Sequence, residues 1–184
     1  EVDGKPVIYY TMKAFERHPG VTDIYVVCSP EWNEYIEAQA GVRGITKFRS
    51  CLRSGETSFL SMRNGIEALA KMGLSPDDIV MVHDAVRPLL TQDIITNNII
   101  ACEQYGNAIT VIYSNESYMK VSGGVSGTGY ALREEYMRAQ TPHTFRLGDL
   151  CDLLAEADAQ GVEHSQSLFT LVNELDFCPL YIAQ

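Results

Sequence analysis

Two charged residues follow an apolar run in the middle of the chain, in residues 82–88, VHDAVRP. The apolar run, Asp78 to His83, predicts a buried strand, and ligands of open parallel sheets bind beyond the carboxyl ends of strands. Asp84 is therefore a candidate ligand for Mg²⁺, which prefers carboxylate and phosphate oxygens. Arg87 is a candidate for bidentate binding of a phosphate monoester. Spacing alone leaves an equally good alternative, in which Asp84 caps a turn and Arg87 pairs with it.

A second candidate site lies in residues 54–61, SGETSFLS, where a glycine and several hydroxyl residues precede a helical pattern. Backbone amides and hydroxyls at a helix start can bind a nucleotide, which makes Gly55 and Ser61 candidate ligands. The simpler alternative is an ordinary helix cap by Thr57 or Ser58, and this segment taken by itself favours the cap.

A third candidate is an anion site made by Arg133 and Arg138 together with Arg87, although each arginine alone is typical of a solvated surface. Residues 123–129, GGVSGTG, superficially resemble a phosphate loop, but no Lys-Ser/Thr pair and no amphipathic helix follow them. A hairpin tip explains these glycines better. The four histidines have no metal-ligand spacing, and no Ser-His-Asp or Cys-His arrangement stands out.

The elements that would position these residues alternate between helical and strand periodicity. Helices are predicted from Pro6 to about His18, from Glu31 to Ala40, after Ser58, after Thr91 and around Leu147 to Leu154; strands are predicted at 23–28, 47–50, 78–83, 108–113 and 136–140. This order predicts one α/β/α three-layer domain over residues 1–184 with a mostly parallel sheet. Residues 118–121 and 130–132 predict a hairpin inside a projecting β-arm, 114–135, which cannot bury both faces alone and so packs on another subunit.

Composition narrows the possible functions. The 184 residues include 46% hydrophobic and 21% charged residues, as in a globular domain, and carry a formal net charge of −10. An acidic surface disfavours nucleic acid as a partner. No apolar run is long enough to cross a membrane, and we expect neither a membrane span nor a signal peptide. The five cysteines are widely spaced, which favours reduced thiols in a cytoplasm over a disulfide framework or zinc site.

Four segments together resemble the 2-C-methyl-D-erythritol 4-phosphate cytidylyltransferase family and its ribitol-5-phosphate cytidylyltransferase relatives. They keep the order and spacing of the family's motifs over nearly the whole chain. The segments are GKPVIYYT at 4–11, SGE…SMRNG at 54–65, VHDAVRP at 82–88 and AQTPHTF at 139–145.

This resemblance implies a Rossmann-like nucleotidyltransferase fold and a homodimer locked by the β-arms. It also implies transfer of CMP from CTP to a polyol phosphate, with release of pyrophosphate. By resemblance, Gly55 and Ser61 contact the cytidine part of CTP, and Asp84 binds Mg²⁺. Arg87 holds the acceptor phosphate, and Arg133 reaches the same phosphate from the arm of the other subunit.

The sequence departs from the family in the arm, where the usual Asp-Thr-x-Lys is Ser117-Tyr118-Met119-Lys120. Tyr118 replaces a threonine that contacts the acceptor, so the acceptor's identity stays open. The acidic residue of a later segment is lost at 163–167, EHSQS. These changes indicate a divergent branch, one that makes an activated polyol for capsule or teichoic-type polymers rather than for isoprenoid biosynthesis.

The family's glycine-rich loop with its catalytic arginine and lysine is expected before Glu1, and its Asn-Ile-Lys segment after Gln184. Two other hypotheses compete with the enzyme. One is a non-catalytic relative that keeps the fold as a binding or assembly module, and a Gly-x-Gly-x-Arg loop before Glu1 would argue against it. The other is an unrelated flavodoxin-like or Rossmann domain, which would make four ordered motif matches a coincidence.

Overall fold

The computed structural model describes residues 1–184 as six α-helices and eight strands. The helices are α1 (Val7–Arg17), α2 (Asn33–Val42), α3 (Ser58–Lys71), α4 (Gln92–Tyr105), α5 (Leu147–Ala159) and α6 (Leu168–Glu174). The strands are β1 (Ile24–Cys28), β2 (Phe48–Arg53), β3 (Ile79–Val82), β4 (Asn107–Tyr113), β5 (Met119–Ser122), β6 (Ser126–Tyr130), β7 (Met137–Arg146) and β8 (Ile182–Ala183). Short 3₁₀ turns occupy Pro30–Trp32 and Arg133–Glu135.

Helix ends follow local sequence signals. The hydroxyls of Thr57, Thr91 and Ser167 accept hydrogen bonds from backbone amides in the first turns of α3, α4 and α6. Each cap satisfies an amide that has no partner within its helix. Gly106 ends α4 in the left-handed conformation, with φ of 92°, which glycine adopts without a Cβ penalty. Thr91 and Thr57 therefore both perform the capping that their positions predicted.

Three of the four strands in the main sheet run in the same direction. The sheet has the order β3-β7-β4-β8, and β7 runs antiparallel to both neighbours while β8 is parallel to β4. A separate parallel pair joins β1 and β2. The prediction of a strand at 78–83 is confirmed, but the prediction that it is buried is wrong, because all four residues of β3 are only half-buried. The reason is that β3 is an edge strand with a single hydrogen-bonded neighbour.

Helices cover both faces of the main sheet, which gives the predicted three layers. On one face, residues of α3, α5 and α6 pack with Ile109, Val111 and Phe145 in a core of 14 buried residues. On the other face, α4 packs through Ala101 and Cys102 against Ala108 of β4. The alternation of Ala108, Ile109 and Val111 between the two cores follows from the period-two side-chain pattern of a strand.

A buried polar network fixes α4 to the middle of the main sheet. Asn98 of α4 is fully buried, and its Nδ2 donates to Thr110 Oγ1 at 2.9 Å while its Oδ1 accepts from Thr144 Oγ1 at 3.0 Å. Thr110 Oγ1 donates to the carbonyl of Pro142 at 2.8 Å. Because every member is hydrogen-bonded, this network anchors β7 just after residues 140 and 141.

The hairpin of β5 and β6 lies within the predicted arm. Gly123 and Gly124 both have positive φ, which fits the turn expected from the glycine-rich tip. Every residue of β5 and β6 is exposed.

None of the helices is long and apolar enough to cross a bilayer.

Candidate functional site

Asp84 and Arg87 lie together directly beyond the carboxyl end of β3. Arg87 Nε donates to Asp84 Oδ2 at 2.7 Å, and the Arg87 amide donates to the Asp84 carbonyl at 3.0 Å, which closes a turn. Both side chains are about half exposed, at 48% for Arg87 and 50% for Asp84, so a ligand can reach them. The sequence left open whether Asp84 binds a ligand or pairs with Arg87. In the structure the two residues are paired.

Three neighbours hold this turn in place. His83 Nε2 donates to the Arg87 carbonyl at 3.0 Å, and the Asp84 amide donates to Thr141 Oγ1 at 3.3 Å. From the other side, Thr11 Oγ1 of α1 donates to the Ala85 carbonyl at 2.8 Å. The turn is therefore fixed by β3, β7 and α1 together, although its charged side chains face solvent.

Burial disfavours the charged form of two histidines beneath the turn. It lowers the pKa of His83, whose Nδ1 is buried without a hydrogen-bond partner. Burial also lowers the pKa of His143 to about 4. Burial therefore works against a second positive charge next to the Arg87 guanidinium, which is paired with Asp84.

Gly55 and Ser61 contact each other at the start of α3. The Gly55 amide donates to Ser61 Oγ at 3.0 Å, and Ser61 Oγ donates to the Thr57 carbonyl at 2.9 Å. A Cβ at Gly55 would overlap Leu60 Cβ and lie 2.8 Å from the Leu60 carbonyl carbon. The close approach of loop and helix thus requires glycine, and the Ser61 hydroxyl stabilises the loop.

We expect Gly55→Ala to destabilise the protein by about 1–3 kcal/mol, since the added methyl overlaps backbone atoms that cannot yield without a shift of the loop. The matched control is Gly41→Ala in α2, where an added Cβ would have no atom within 4 Å. This variant should be as stable as the wild type or slightly more stable. Urea denaturation of both variants measures the difference. Equal stability of the two variants would refute the steric explanation.

Arg133 and Tyr118 lie together on the arm, in a pocket of about 310 Å³ that also includes Ser117, Tyr130 and Leu132. Arg133 Nη2 donates to Ser117 Oγ at 3.0 Å, and the Tyr118 hydroxyl is 2.8 Å from Ser114 Oγ. The arm therefore presents a guanidinium and a phenol in one exposed recess.

The candidate residues thus form three groups within one chain: Asp84 with Arg87, Gly55 with Ser61, and Arg133 with Tyr118. No hydrogen bond or ion pair of the single chain joins one group to another, and Arg138 has no ion-pair partner. Sequence reasoning gave no role to Gln140, whose Oε1 accepts from Arg87 Nη1 at 2.6 Å. Its only signal was its place in the AQTPHTF segment.

The chain has no cluster of three or more His, Cys, Asp or Glu side chains suited to a metal ion. A single accessible carboxylate nevertheless suits Mg²⁺, which keeps several waters and is commonly held by one or two carboxylates plus substrate phosphates. Asp84 is such a carboxylate, so it fits a metal that arrives with a nucleotide rather than a resident metal.

Known proteins match nearly the whole chain. The profile described as 2-C-methyl-D-erythritol 4-phosphate cytidylyltransferase matches residues 1–173. The ribitol-5-phosphate cytidylyltransferase of Lacticaseibacillus paracasei is 30% identical over 169 residues, which are 92% of this chain and 72% of that protein. The 2-C-methyl-D-erythritol 4-phosphate cytidylyltransferase of Acidobacterium capsulatum is 34% identical over 164 residues, 88% of this chain and 67% of that protein.

Solved structures agree with the sequence matches. A crystal structure of 4-diphosphocytidyl-2C-methyl-D-erythritol synthase has a TM-score of 0.81 at 25% identity, covering 100% of this chain and 82% of that one. The synthase from Anaerococcus prevotii has a TM-score of 0.83 at 19% identity, with 100% and 78% coverage, and shares the fold. The predicted fold class and the predicted cytidylyltransferase function are confirmed. The profile match over residues 1–173 shows that the chain belongs to the 2-C-methyl-D-erythritol 4-phosphate cytidylyltransferase family.

Proposed function

We propose that this protein transfers CMP from CTP to ribitol 5-phosphate, at a site built around Asp84 and Arg87. A phosphate oxygen of the acceptor attacks the α-phosphorus of CTP and forms a new P–O–P bond. The bond between the α-phosphorus and its bridging oxygen breaks, and pyrophosphate leaves. The observation that carries the proposal is the contact of Asp84 and Arg87, 2.7 Å apart and half exposed, beyond the end of β3.

The chemistry of the reaction explains why the site uses a carboxylate and arginines. Two phosphate groups must approach each other, so their charges need neutralising and their atoms need alignment. Bound at Asp84 with the CTP phosphates, Mg²⁺ supplies charge neutralisation. Arg87 binds the acceptor phosphate, and Gly55 and Ser61 contact the cytidine part of CTP. No covalent nucleophile from the protein is needed.

The arm is proposed to complete the site of a second copy of the chain, in a homodimer. A two-stranded hairpin exposed on both faces is at best marginally stable alone. This hairpin carries large exposed apolar side chains, including Val125 at 94% and Tyr130 at 80% exposure. Covering them with another subunit would stabilise the arm and bring Arg133 to the partner's acceptor phosphate. We also propose a cytoplasmic location, where CTP is available and the five free cysteines stay reduced.

Ribitol 5-phosphate is favoured as acceptor over 2-C-methyl-D-erythritol 4-phosphate by two observations. Relatives named ribitol-5-phosphate cytidylyltransferase align with 92–94% of this chain, against 81–88% for the relatives named after methylerythritol phosphate alone. Tyr118 also fills the position where the resemblance expects an acceptor-binding threonine, and its hydroxyl lies against Ser114. Methylerythritol phosphate remains the second candidate because the matching profile carries its name.

Release of pyrophosphate tests the reaction. The protein is incubated with CTP, Mg²⁺ and one acceptor at a time: ribitol, methylerythritol or glycerol phosphate. We expect release with ribitol 5-phosphate and a higher kcat/KM than with the other two. Absence of release with all three acceptors would leave only the binding-module hypothesis, whereas preference for methylerythritol phosphate would overturn the acceptor assignment alone.

Arg87→Ala should weaken acceptor binding by about 1.5–3 kcal/mol, the usual loss for a charged hydrogen bond, while CTP binding changes little. Isothermal titration calorimetry with ribitol 5-phosphate and with CTP separates the two effects. Arg146→Ala is the control, because Arg146 lies near Asp77 at the opposite end of β3. A loss of CTP affinity with intact acceptor binding would show that Arg87 serves the nucleotide instead.

A further inference from the structure

Arg87 has a second hydrogen-bond acceptor besides Asp84. Its Nη1 donates to Gln140 Oε1 at 2.6 Å, while its Nε donates to Asp84 Oδ2 at 2.7 Å. Nη2 has no protein partner, so its two N–H groups are available to a ligand. Gln140 and Asp84 together fix the plane of the guanidinium, because two anchored nitrogens leave little freedom to rotate.

These two anchors differ in what happens when substrates bind. Under the proposed function Asp84 would hold Mg²⁺, and Arg87 would then lose one of its two anchors. Gln140 then is the remaining side-chain acceptor for the guanidinium. We propose that Gln140 is a positioning residue for Arg87. It would keep the guanidinium oriented toward the acceptor phosphate when Asp84 binds the metal. This inference rests on the proposed role of Arg87.

Gln140 is itself held firmly enough for this task. Its Nε2 donates to the Ala139 carbonyl at 2.8 Å, and its side chain is half-buried. The hydroxyl of the next residue, Thr141, accepts a hydrogen bond from the Asp84 amide. The carbonyl of Pro142 accepts one from the Thr110 hydroxyl in the buried network. The amide oxygen of Gln140 is therefore held in place by the hydrogen-bonded middle of β7. Arg87, in contrast, belongs to a turn.

The neutral amide also suits an anionic acceptor. A carboxylate at this position would hold Arg87 more strongly but would cancel its charge and repel the incoming phosphate. A glutamine orients the guanidinium without removing its net positive charge. The interaction thus supplies geometry while leaving Arg87 free to bind a phosphate monoester through Nη2.

The test replaces Gln140 with Met, which keeps the length of the side chain and removes the oxygen acceptor. The matched control is Gln39→Met, because Gln39 Oε1 accepts from Arg43 Nε at 2.8 Å in the same kind of pair on α2. Affinities for ribitol 5-phosphate and CTP are measured by calorimetry with Mg²⁺ present. Loss of one charged hydrogen bond predicts that Gln140→Met weakens acceptor affinity by about tenfold and leaves CTP affinity within about twofold.

Gln140→Glu distinguishes a role of Gln140 in orienting Arg87 toward an anionic acceptor from simple structural support of the turn. A structural tether would be restored by Glu, which still accepts a hydrogen bond, whereas we expect Gln140→Glu to weaken acceptor affinity further than Gln140→Met. The inference fails if Gln140→Met keeps wild-type acceptor affinity, if CTP affinity falls equally, or if Glu restores binding. In those cases Arg87→Ala still decides the proposed function, since that variant must lose acceptor affinity whether or not Gln140 positions Arg87.

Discussion

Asp84→Asn should lower kcat by at least about a hundredfold at saturating CTP and Mg²⁺, a loss of the size seen when one electrostatic contact to a transition state is removed. Asparagine keeps the shape of the side chain but lacks the charge that binds a hard cation. The same substitution frees Arg87 Nε from its ion pair at 2.7 Å. Acceptor affinity without Mg²⁺ should therefore stay equal to that of the wild type or become tighter.

Asp77→Asn is the control for this loss, because Asp77 lies at the start of β3 and its side chain is 89% exposed. Initial rates of pyrophosphate release give kcat, and calorimetry gives the acceptor affinity. If Asp84→Asn retains kcat within tenfold of the wild type, Asp84 does not bind the metal. If Asp84→Asn instead abolishes acceptor binding, the two side chains do not compete in the way described.

Mixing two inactive variants should restore activity if the arm acts on the partner subunit. Asp84→Asn removes the metal ligand, and Arg133→Ala removes the arm's guanidinium. In a mixed dimer one site receives an intact Asp84 from one chain and an intact Arg133 from the other. With random exchange of subunits about half of the dimers are mixed, so roughly a quarter of wild-type activity returns.

The variants are first assayed alone, then mixed under conditions that permit subunit exchange, and the rate of pyrophosphate release is followed with time. A mixture of Asp84→Asn with Arg87→Ala is the control, since both residues lie on the same turn and no intact site can form. No recovery in the first mixture would mean that Arg133 acts within its own chain. Full activity of Arg133→Ala alone would remove Arg133 from the site.

Local patterns in the sequence predicted most of the elements of the fold. The apolar spacing in α1 and the Thr91 cap of α4 are local features, so they needed no knowledge of the rest of the chain. The half-buried state of β3 could not be read in the same way. Burial of a strand depends on which strands pair beside it, and the edge position of β3 is set by contacts distant in sequence.

In the candidate site, too, contacts between residues close in sequence were predictable and contacts between distant residues were not. Asp84 and Arg87 are three residues apart, so their proximity follows from a turn that the sequence itself suggests. Gln140 lies 53 residues from Arg87, and only the pairing of β3 with β7 brings them together. The sequence also could not decide between ligand binding and ion pairing for Asp84. The structure is compatible with both interpretations, because the paired side chains of Asp84 and Arg87 lie where ligands would bind.

An exchange of partners at this turn connects the Asp84–Arg87 ion pair with the proposed reaction. Asp84 and Arg87 neutralise each other, so neither charge is left unpaired at the surface. Binding of CTP with Mg²⁺ at Asp84 would release Arg87 for the acceptor, and binding of the acceptor at Arg87 would release Asp84 for the metal. Each substrate should therefore favour binding of the other by the same factor.

The structure of the protein with CTP, Mg²⁺ and ribitol 5-phosphate tests this exchange most directly. We predict that Asp84 contacts the metal, that Arg87 contacts the acceptor phosphate while keeping Gln140, and that Arg133 of the partner subunit reaches the same phosphate. An intact Asp84–Arg87 pair with the acceptor phosphate bound elsewhere would contradict the proposed site.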